Sequence, residues 1–167
     1  MKDIFESTLE KLLGDQVTHT LLLHSEEQGW VQPLWDLLAS SGYALAAASE
    51  QAGGAELSWQ DLYGVVNLCG KYALPLPLPE AILGNWLLSA SALQACGGSL
   101  SIAPESALEW DGELLSGALI AVPWGSHVEK VVAVVQGDYP MVVLCDTSKA
   151  SEITCSANVA GESRDTL

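Results

Sequence analysis

Two periodicities divide this chain. Up to Gly97-Gly98 apolar residues recur every three or four positions, and beyond it they alternate or run continuously. The first spacing marks helices buried on one face, the second marks strands. Phe5, Leu9, Leu12 and Leu13 share one side of an opening helix, with Gly14 as its expected stop. Residues 15–27, around Thr20-Leu21-Leu22-Leu23-His24, are ambiguous between a helix and a buried extended piece, and are read as helix. Val31, Leu34, Trp35 and Leu38 fall at i, i+3, i+4 and i+7, one stripe of an amphipathic helix. Gly42 is positioned to end that helix in a left-handed conformation.

A turn follows at Ala48-Ser49-Glu50-Gln51-Ala52-Gly53-Gly54, where paired glycines permit backbone shapes and close approaches closed to other residues. Ser58 reads as the cap of the next helix, with Asp61 in its first turn and Leu62, Val65, Val66 and Cys69 as its buried stripe. Pro75, Pro77 and Pro79 alternate, which forbids a helix there and holds the backbone extended. Pro79 suits the first position of a helix through Leu88, and a short helix is expected over Ser91–Ala95.

In the second half, strands are predicted at 99–103, 107–110, 113–121, 130–136 and 141–146, and Ile153–Cys155 could start another. Asp111-Gly112 and Gly137-Asp138 are hairpin signals. Val131–Val135 and Met141–Leu144 are continuous apolar runs, as in strands buried on both faces. The reading is α+β: an all-α helical domain over residues 1–97, then an incomplete antiparallel β domain over 98–167. The stretch from Asn158 to Leu167 reads as a connector, and the sheet as one that continues past it.

Composition narrows the partners. Among 167 residues, 21 are acidic and six basic, a formal net charge of -15. Such a field repels polyanions, so nucleic acid and anionic membranes are poor candidates. A hydrophobic content of 49% with 16% charged residues argues for a folded chain with a real core. No apolar run reaches the length of a membrane span, and Met1-Lys2-Asp3-Ile4-Phe5-Glu6 lacks a signal-peptide core. The expected location is cytoplasmic. Cys69, Cys96, Cys145 and Cys155 are widely spaced, His19 and His24 are not one helical turn apart, and with His127 they make no zinc pattern. No metal is expected. The one arginine, Arg164, and the lack of a glycine-rich phosphate loop leave coenzyme phosphates to be met by another polypeptide segment.

The order of elements resembles the acyl-CoA dehydrogenase family, as the N-terminal helical domain and part of the middle β domain of a divergent member. Trp35–Leu38, Gly42 and the Glu50/Gly53-Gly54 turn are similar to the family's "G-x-x-x-L" step and "P-E-x-x-G-G" turn, with Ser49 in place of the usual proline. The helix from Ser58 to Gly70 and then Pro77-Leu78-Pro79-Glu80 resemble a "P-x-P-x-x-E" step. Gly117 through Val135, with Val128-Glu129-Lys130-Val131, resembles the β-domain segment ending in a strand after "A-D-x-V/L", and Ala157-Asn158-Val159-Ala160-Gly161-Glu162 is close to "N-x-A-G-E-P-x-D".

The resemblance implies a flavoprotein that oxidises an acyl-CoA thioester to the trans-2-enoyl form. A carboxylate takes the α-proton and FAD accepts the β-hydrogen as hydride. The family's base lies in a C-terminal helical bundle with no counterpart here, so no residue is assigned as catalytic. FAD is expected for the complete enzyme and not for this chain alone. The family's "T-E-P-x-A-G-S-D" stretch has no match, and Ala121-Val122-Pro123, followed by Trp124, stands where many members carry "W-I-T". Such a β domain resembles the divergent subunits of two-component dehydrogenases for bulky acyl-CoAs, in fatty acid or steroid side-chain degradation. Leu76, Leu78, Ile82 and Leu83 are the acyl-pocket candidates, with ordinary core packing as the alternative. Homo- or hetero-oligomers are implied. Two other readings stay open: a non-catalytic subunit or binding module of a heteromeric dehydrogenase, and an acidic α+β domain whose resemblance is accidental.

Overall fold

The computed structural model describes residues 2–167; Met1, on which part of the leader reading rests, lies outside them. Helix α1 (Lys2–Gln16) buries Leu9 and Leu13. It runs past Gly14, whose backbone faces the Tyr72 ring, so tertiary packing offsets the helix cost of glycine. Helix α2 (His19–Gln28) starts at Thr18, whose hydroxyl accepts from the Leu21 amide. Helix α3 (Gln32–Ser40) buries Leu34, Trp35 and Leu38 as its spacing requires.

Two 3-10 turns, Tyr43–Leu45 and Glu50–Ala52, lead to helix α4 (Trp59–Lys71). The Ser58 hydroxyl caps α4 by accepting from the Asp61 amide at 3.2 Å and donates to the Asp61 carboxylate at 2.7 Å. The buried stripe of α4 is Leu62, Val65, Leu68 and Cys69, whereas Val66, expected inside, is 42% exposed. Helix α5 (Leu78–Ala90) follows the prolines, with Pro79 in its first turn.

The short helix expected over Ser91–Ala95 is absent. Helix α5 instead closes with Ala92 left-handed, the Leu93 amide donating to the Leu88 carbonyl and the Ala92 amide to that of Ser89. That double bond pattern terminates a helix and turns the chain away.

The first strand, β1 (Leu100–Ile102), pairs in parallel with β7 (Lys130–Val135), and β7 pairs antiparallel with β8 (Met141–Asp146), giving the order β1-β7-β8. The sheet is therefore mixed, because residues 103–129 form a crossover rather than a hairpin. Within that excursion lie β2 (Glu105–Ser106), β3 (Glu109–Trp110), β4 (Leu115–Ser116), β5 (Leu119–Ile120) and β6 (Val122–Pro123). The single strand expected over 113–121 is broken where Gly117 (φ 121°) presses its backbone against Ala107 and where Ala121 turns left-handed (φ 55°). Both hairpin signals are met: β3 pairs with β4 across Asp111-Gly112, and β7 with β8 across Gly137-Asp138.

The last strand, β9 (Arg164–Asp165), pairs with β6, and Leu167 exchanges backbone hydrogen bonds with Leu119. The stretch expected as a free connector is thus bonded into the β part. Ile153–Cys155 contributes one isolated bridge, Thr154 to Thr166.

Strand β7 separates two cores. Val132 joins Leu100 and the helical residues Leu38, Leu62, Leu78, Ile82 and Leu88 in one. Val131 and Ala133 face the other, with Leu119, Val122, Trp124 and Val128. Helices end at Ala90 and strands begin at Leu100, yet the first core runs across that junction. Strand β8, expected to be buried on both faces, is an edge strand with Met141 and Leu144 more than a third exposed, since among the described residues no strand pairs beyond it. No helix among the described residues is long and apolar enough to cross a membrane.

Candidate functional site

A groove of about 700 Å³ lies between the helical part and the 155–165 segment. One wall is the end of α2, the end of α4 and the proline segment, contributing Leu22, Val66, Cys69, Leu76 and Pro79. The other is the turn after β6, with Trp124 and His127, together with residues 155–157 and 160–165. The proline segment is bent rather than extended as expected, with the Leu78 amide donating to the Leu76 carbonyl at 2.9 Å, but it is not helical, so Leu74 to Leu76 offer side chains without a helix beneath them.

The second wall is fixed by Asp165, which is 1% exposed. Its carboxylate accepts from the Ser126 amide at 2.8 Å, the Ser156 amide at 3.1 Å and the Ser163 hydroxyl at 2.6 Å. Burial alone would raise this carboxyl, but those three bonds outweigh it and hold it below the usual range. A depressed carboxyl contributes stability above its unfolded value of about 3.9 and loses it as pH falls through the folded value. Asp165→Asn is therefore expected to destabilise the chain by about 2 kcal/mol at pH 7. In urea unfolding from pH 7 to 3, that difference will shrink toward the acid end.

Trp124 itself is left-handed, with φ 50°, in a position bulky residues rarely occupy. Such backbone strain, about 1 to 2 kcal/mol for an L-residue, persists where packing over-determines it. Here the indole is 6% exposed in the second core, with the Arg164 guanidinium 5.8 Å from its ring centroid. Arg164 also donates to Glu162 at 3.0 Å and to the Ser163 carbonyl. His127 stacks on Trp30 with ring centroids 6.2 Å apart.

Glu80, in the first turn of α5, is the acid in the apolar part of the groove. Burial raises its carboxyl above the usual range; its own helix-start amide and Arg164 oppose that, and Glu162 adds to it. The Cys69 thiol is pushed up to about 12 by burial first and by Glu80 second, which leaves it un-ionised and unreactive. For Glu80 the folded state holds the proton more tightly than the unfolded chain, so stability falls as pH rises from about 4.3 through the folded value. Glu80→Gln is expected to raise the melting temperature at pH 7 and to leave it unchanged at pH 3, below both values.

Of the four acyl-pocket candidates, Leu76 lines the groove, although it is only 2% exposed. Leu78 and Ile82 are fully buried in the first core, and Leu83 is half-buried outside the groove. Trp124, His127 and Arg164 are brought to the groove by loops and by the β6–β9 pairing, which no periodicity announces. Among the described residues no three His, Cys, Asp or Glu side chains group as metal ligands.

The donor set does not fit a flavin dinucleotide. The side chains of Val122 and Pro123 are buried and carry no hydroxyl or amide group, and the single guanidinium is already bonded to Glu162. Apart from Arg164, the charges lining the groove are acidic, with Glu26, Glu162 and Asp165 among them, and these repel phosphates.

No family model matches the chain, and no curated protein matches it. Solved structures do. A variant of the Tcur3481-Tcur3483 steroid ACAD is 21% identical with a TM-score of 0.82, over 99% of this chain and 54% of that one. The ChsE4-ChsE5 complex from Mycobacterium tuberculosis is 18% identical with a TM-score of 0.74, over 99% and 52%. A KijD3 in complex with dTDP is 15% identical with a TM-score of 0.67, over 99% and 52%. The chain thus spans about half the length of these proteins. A fold found both in a steroid ACAD and in a protein bound to dTDP does not by itself set the ligand. What the likeness establishes is the fold: this chain has the α+β architecture of the acyl-CoA dehydrogenases over about half of their length.

Proposed function

We propose that this chain supplies an acyl-binding wall of an acyl-CoA dehydrogenase-like flavoprotein that introduces an α,β double bond into a bulky acyl-CoA thioester. The observation that supports this most is the groove, whose size and apolar wall suit an acyl group, on a fold shared with a steroid ACAD. The catalytic base, the flavin contacts and the coenzyme A phosphate contacts belong to another polypeptide segment, so the chain alone is inactive. This chain's own contribution is to bind and orient. Leu76, Pro79 and Trp124 exclude water from the acyl group, and Glu80, in its protonated form, can donate a hydrogen bond to a carbonyl or hydroxyl on the ligand.

A second reading, a non-catalytic subunit of a heteromeric dehydrogenase, is favoured by buried Val122-Pro123 and by the engagement of Arg164. The ChsE4-ChsE5 structure is likewise a complex of two differently named proteins. Both readings expect association and both use the groove. Titration calorimetry with a steroid-acyl pantetheine thioester tests them together, since that probe carries no nucleotide phosphates. Binding is expected, and weaker binding for the matching acyl-CoA because of the acidic rim. Ala160→Trp, at an exposed position on the groove wall, is expected to weaken binding by about tenfold or more, roughly 1.4 kcal/mol. Equal binding by that variant would show that the ligand does not occupy the groove.

A further inference from the structure

Strand β8 lies at the opposite side of the sheet from β1 and has no partner on its outer edge among the described residues. In an antiparallel pair every second residue turns its N–H and C=O away from its neighbour. The outer side of Met141–Asp146 therefore presents a row of unpaired backbone groups about 20 Å long. Natural edges are usually blunted by lysine, proline or a bulge. Met141-Val142-Val143-Leu144-Cys145 carries none of these, and its register with β7 is unbroken from Lys130–Asp146 to Val135–Met141.

Beside the edge is an apolar trough of about 510 Å³, lined by Leu93, Trp110, Leu115, Met141, Val142 and Val143 among others. Leu93 is 41% exposed, Trp110 47% and Met141 38%, and Tyr139, next to the trough, is 87% exposed. The neighbouring charges are of one sign. Glu109, Asp111 and Glu113 are exposed along the β3–β4 hairpin, and Asp138 is exposed in the β7–β8 turn. Lys130 pairs with Asp146 at the far end of β8, and Lys149 lies beyond that end.

From the open edge, the trough and the acidic rim we infer that β8 is a docking strand for a basic, extended segment of another protein. That segment adds to the sheet as a further strand, sets alternate apolar side chains into the trough and points its lysines or arginines at the rim. A second copy of this chain is the poorer occupant. Like would meet like across a two-fold contact, with a net charge of -15 on each side. The inference does not depend on the groove, which lies on other elements.

The probe is an eight-residue peptide alternating lysine and valine, followed by fluorescence anisotropy and by amide exchange of residues 141–146 in the intact chain. Two control peptides replace lysine by glutamate or methylate alternate backbone nitrogens. The expected result is salt-sensitive binding of the lysine peptide, with outward-facing β8 amides protected by about tenfold or more and no binding of either control. Met141→Lys, at a position exposed enough to leave the fold intact, will weaken the lysine peptide at least about tenfold. Equal binding of the N-methylated peptide would overturn strand addition. Protection of β8 that rises with protein concentration and without peptide would replace the basic partner by a second copy.

Discussion

Asn85→Leu will cost the fold about 3 to 5 kcal/mol, a large share of the stability of a domain this size. Asn85 is fully buried in α5. Its amide nitrogen donates to the Ala44 carbonyl at 3.0 Å and to the Cys96 carbonyl at 3.3 Å, and its oxygen accepts from the Cys96 amide at 2.7 Å. These bonds tie the first 3-10 turn and the segment entering β1 to one helix. Leucine fills the volume but strands three buried backbone groups, each costing about 1 to 3 kcal/mol. Asn85→Asp keeps the acceptor and sets a carboxylate against two carbonyl oxygens, so it too will destabilise. Urea unfolding checks both, the expected change being in the midpoint with the slope conserved.

Gly54→Ala is expected to be the next most damaging of the single changes considered, at about 3 kcal/mol. A Cβ there would overlap the carbonyl oxygens of Ala48 and Leu45, and a backbone carbonyl cannot swing aside as a side chain can. The turn is further pinned: the Gly54 amide donates to the Ser49 carbonyl, and the Ser49 amide to the Ser89 hydroxyl on α5. Gly53→Ala, one residue earlier, meets nothing within 4 Å and suffers only from its φ of +83°, about 1 to 2 kcal/mol. Thermal melts of the two variants will therefore differ, and identical melting temperatures would show that the close approach at Gly54 does not matter.

The helical part was legible because each helix carries local signals that tertiary structure reinforces. The Ser58 cap, the stripe of Val31, Leu34, Trp35 and Leu38, and the Pro75–Pro79 breaker all act within a few residues of themselves. Where reading failed, a distant contact decided. Val66 shares the helical face of Val65 and Cys69 closely enough to pass as core, but only its neighbours in space leave it at the groove. The 113–121 run reads as one strand, and is cut by the approach of Gly117 to Ala107 and by left-handed Ala121. The parallel pairing of β1 with β7 joins Leu100 to Lys130, thirty residues along the chain, and no local pattern sets its direction.

The groove was the least legible feature. Leu76 alone of the four apolar candidates reaches it, because Leu78 and Ile82 turn to the core once α5 begins. Glu80 sits in the first turn of α5, and the charges of Arg164 and Glu162 that act on it come from a segment some eighty residues along the chain. Asn85 carries no sequence signal beyond a polar residue in an apolar run. Its partners are backbone atoms 41 and 11 positions away.

On the proposed function, an acyl group sits in the groove between α4, the proline segment and the 155–165 stretch. The most direct measurement maps amide and methyl chemical shifts of the intact chain by NMR on adding the steroid-acyl pantetheine thioester. Perturbations are expected at Cys69, Leu76, Glu80, the Trp124 indole and Ser156, with Leu78 and Ile82 moving less. Perturbations confined to Leu93 and Met141–Val143, or none at saturating probe, would contradict it.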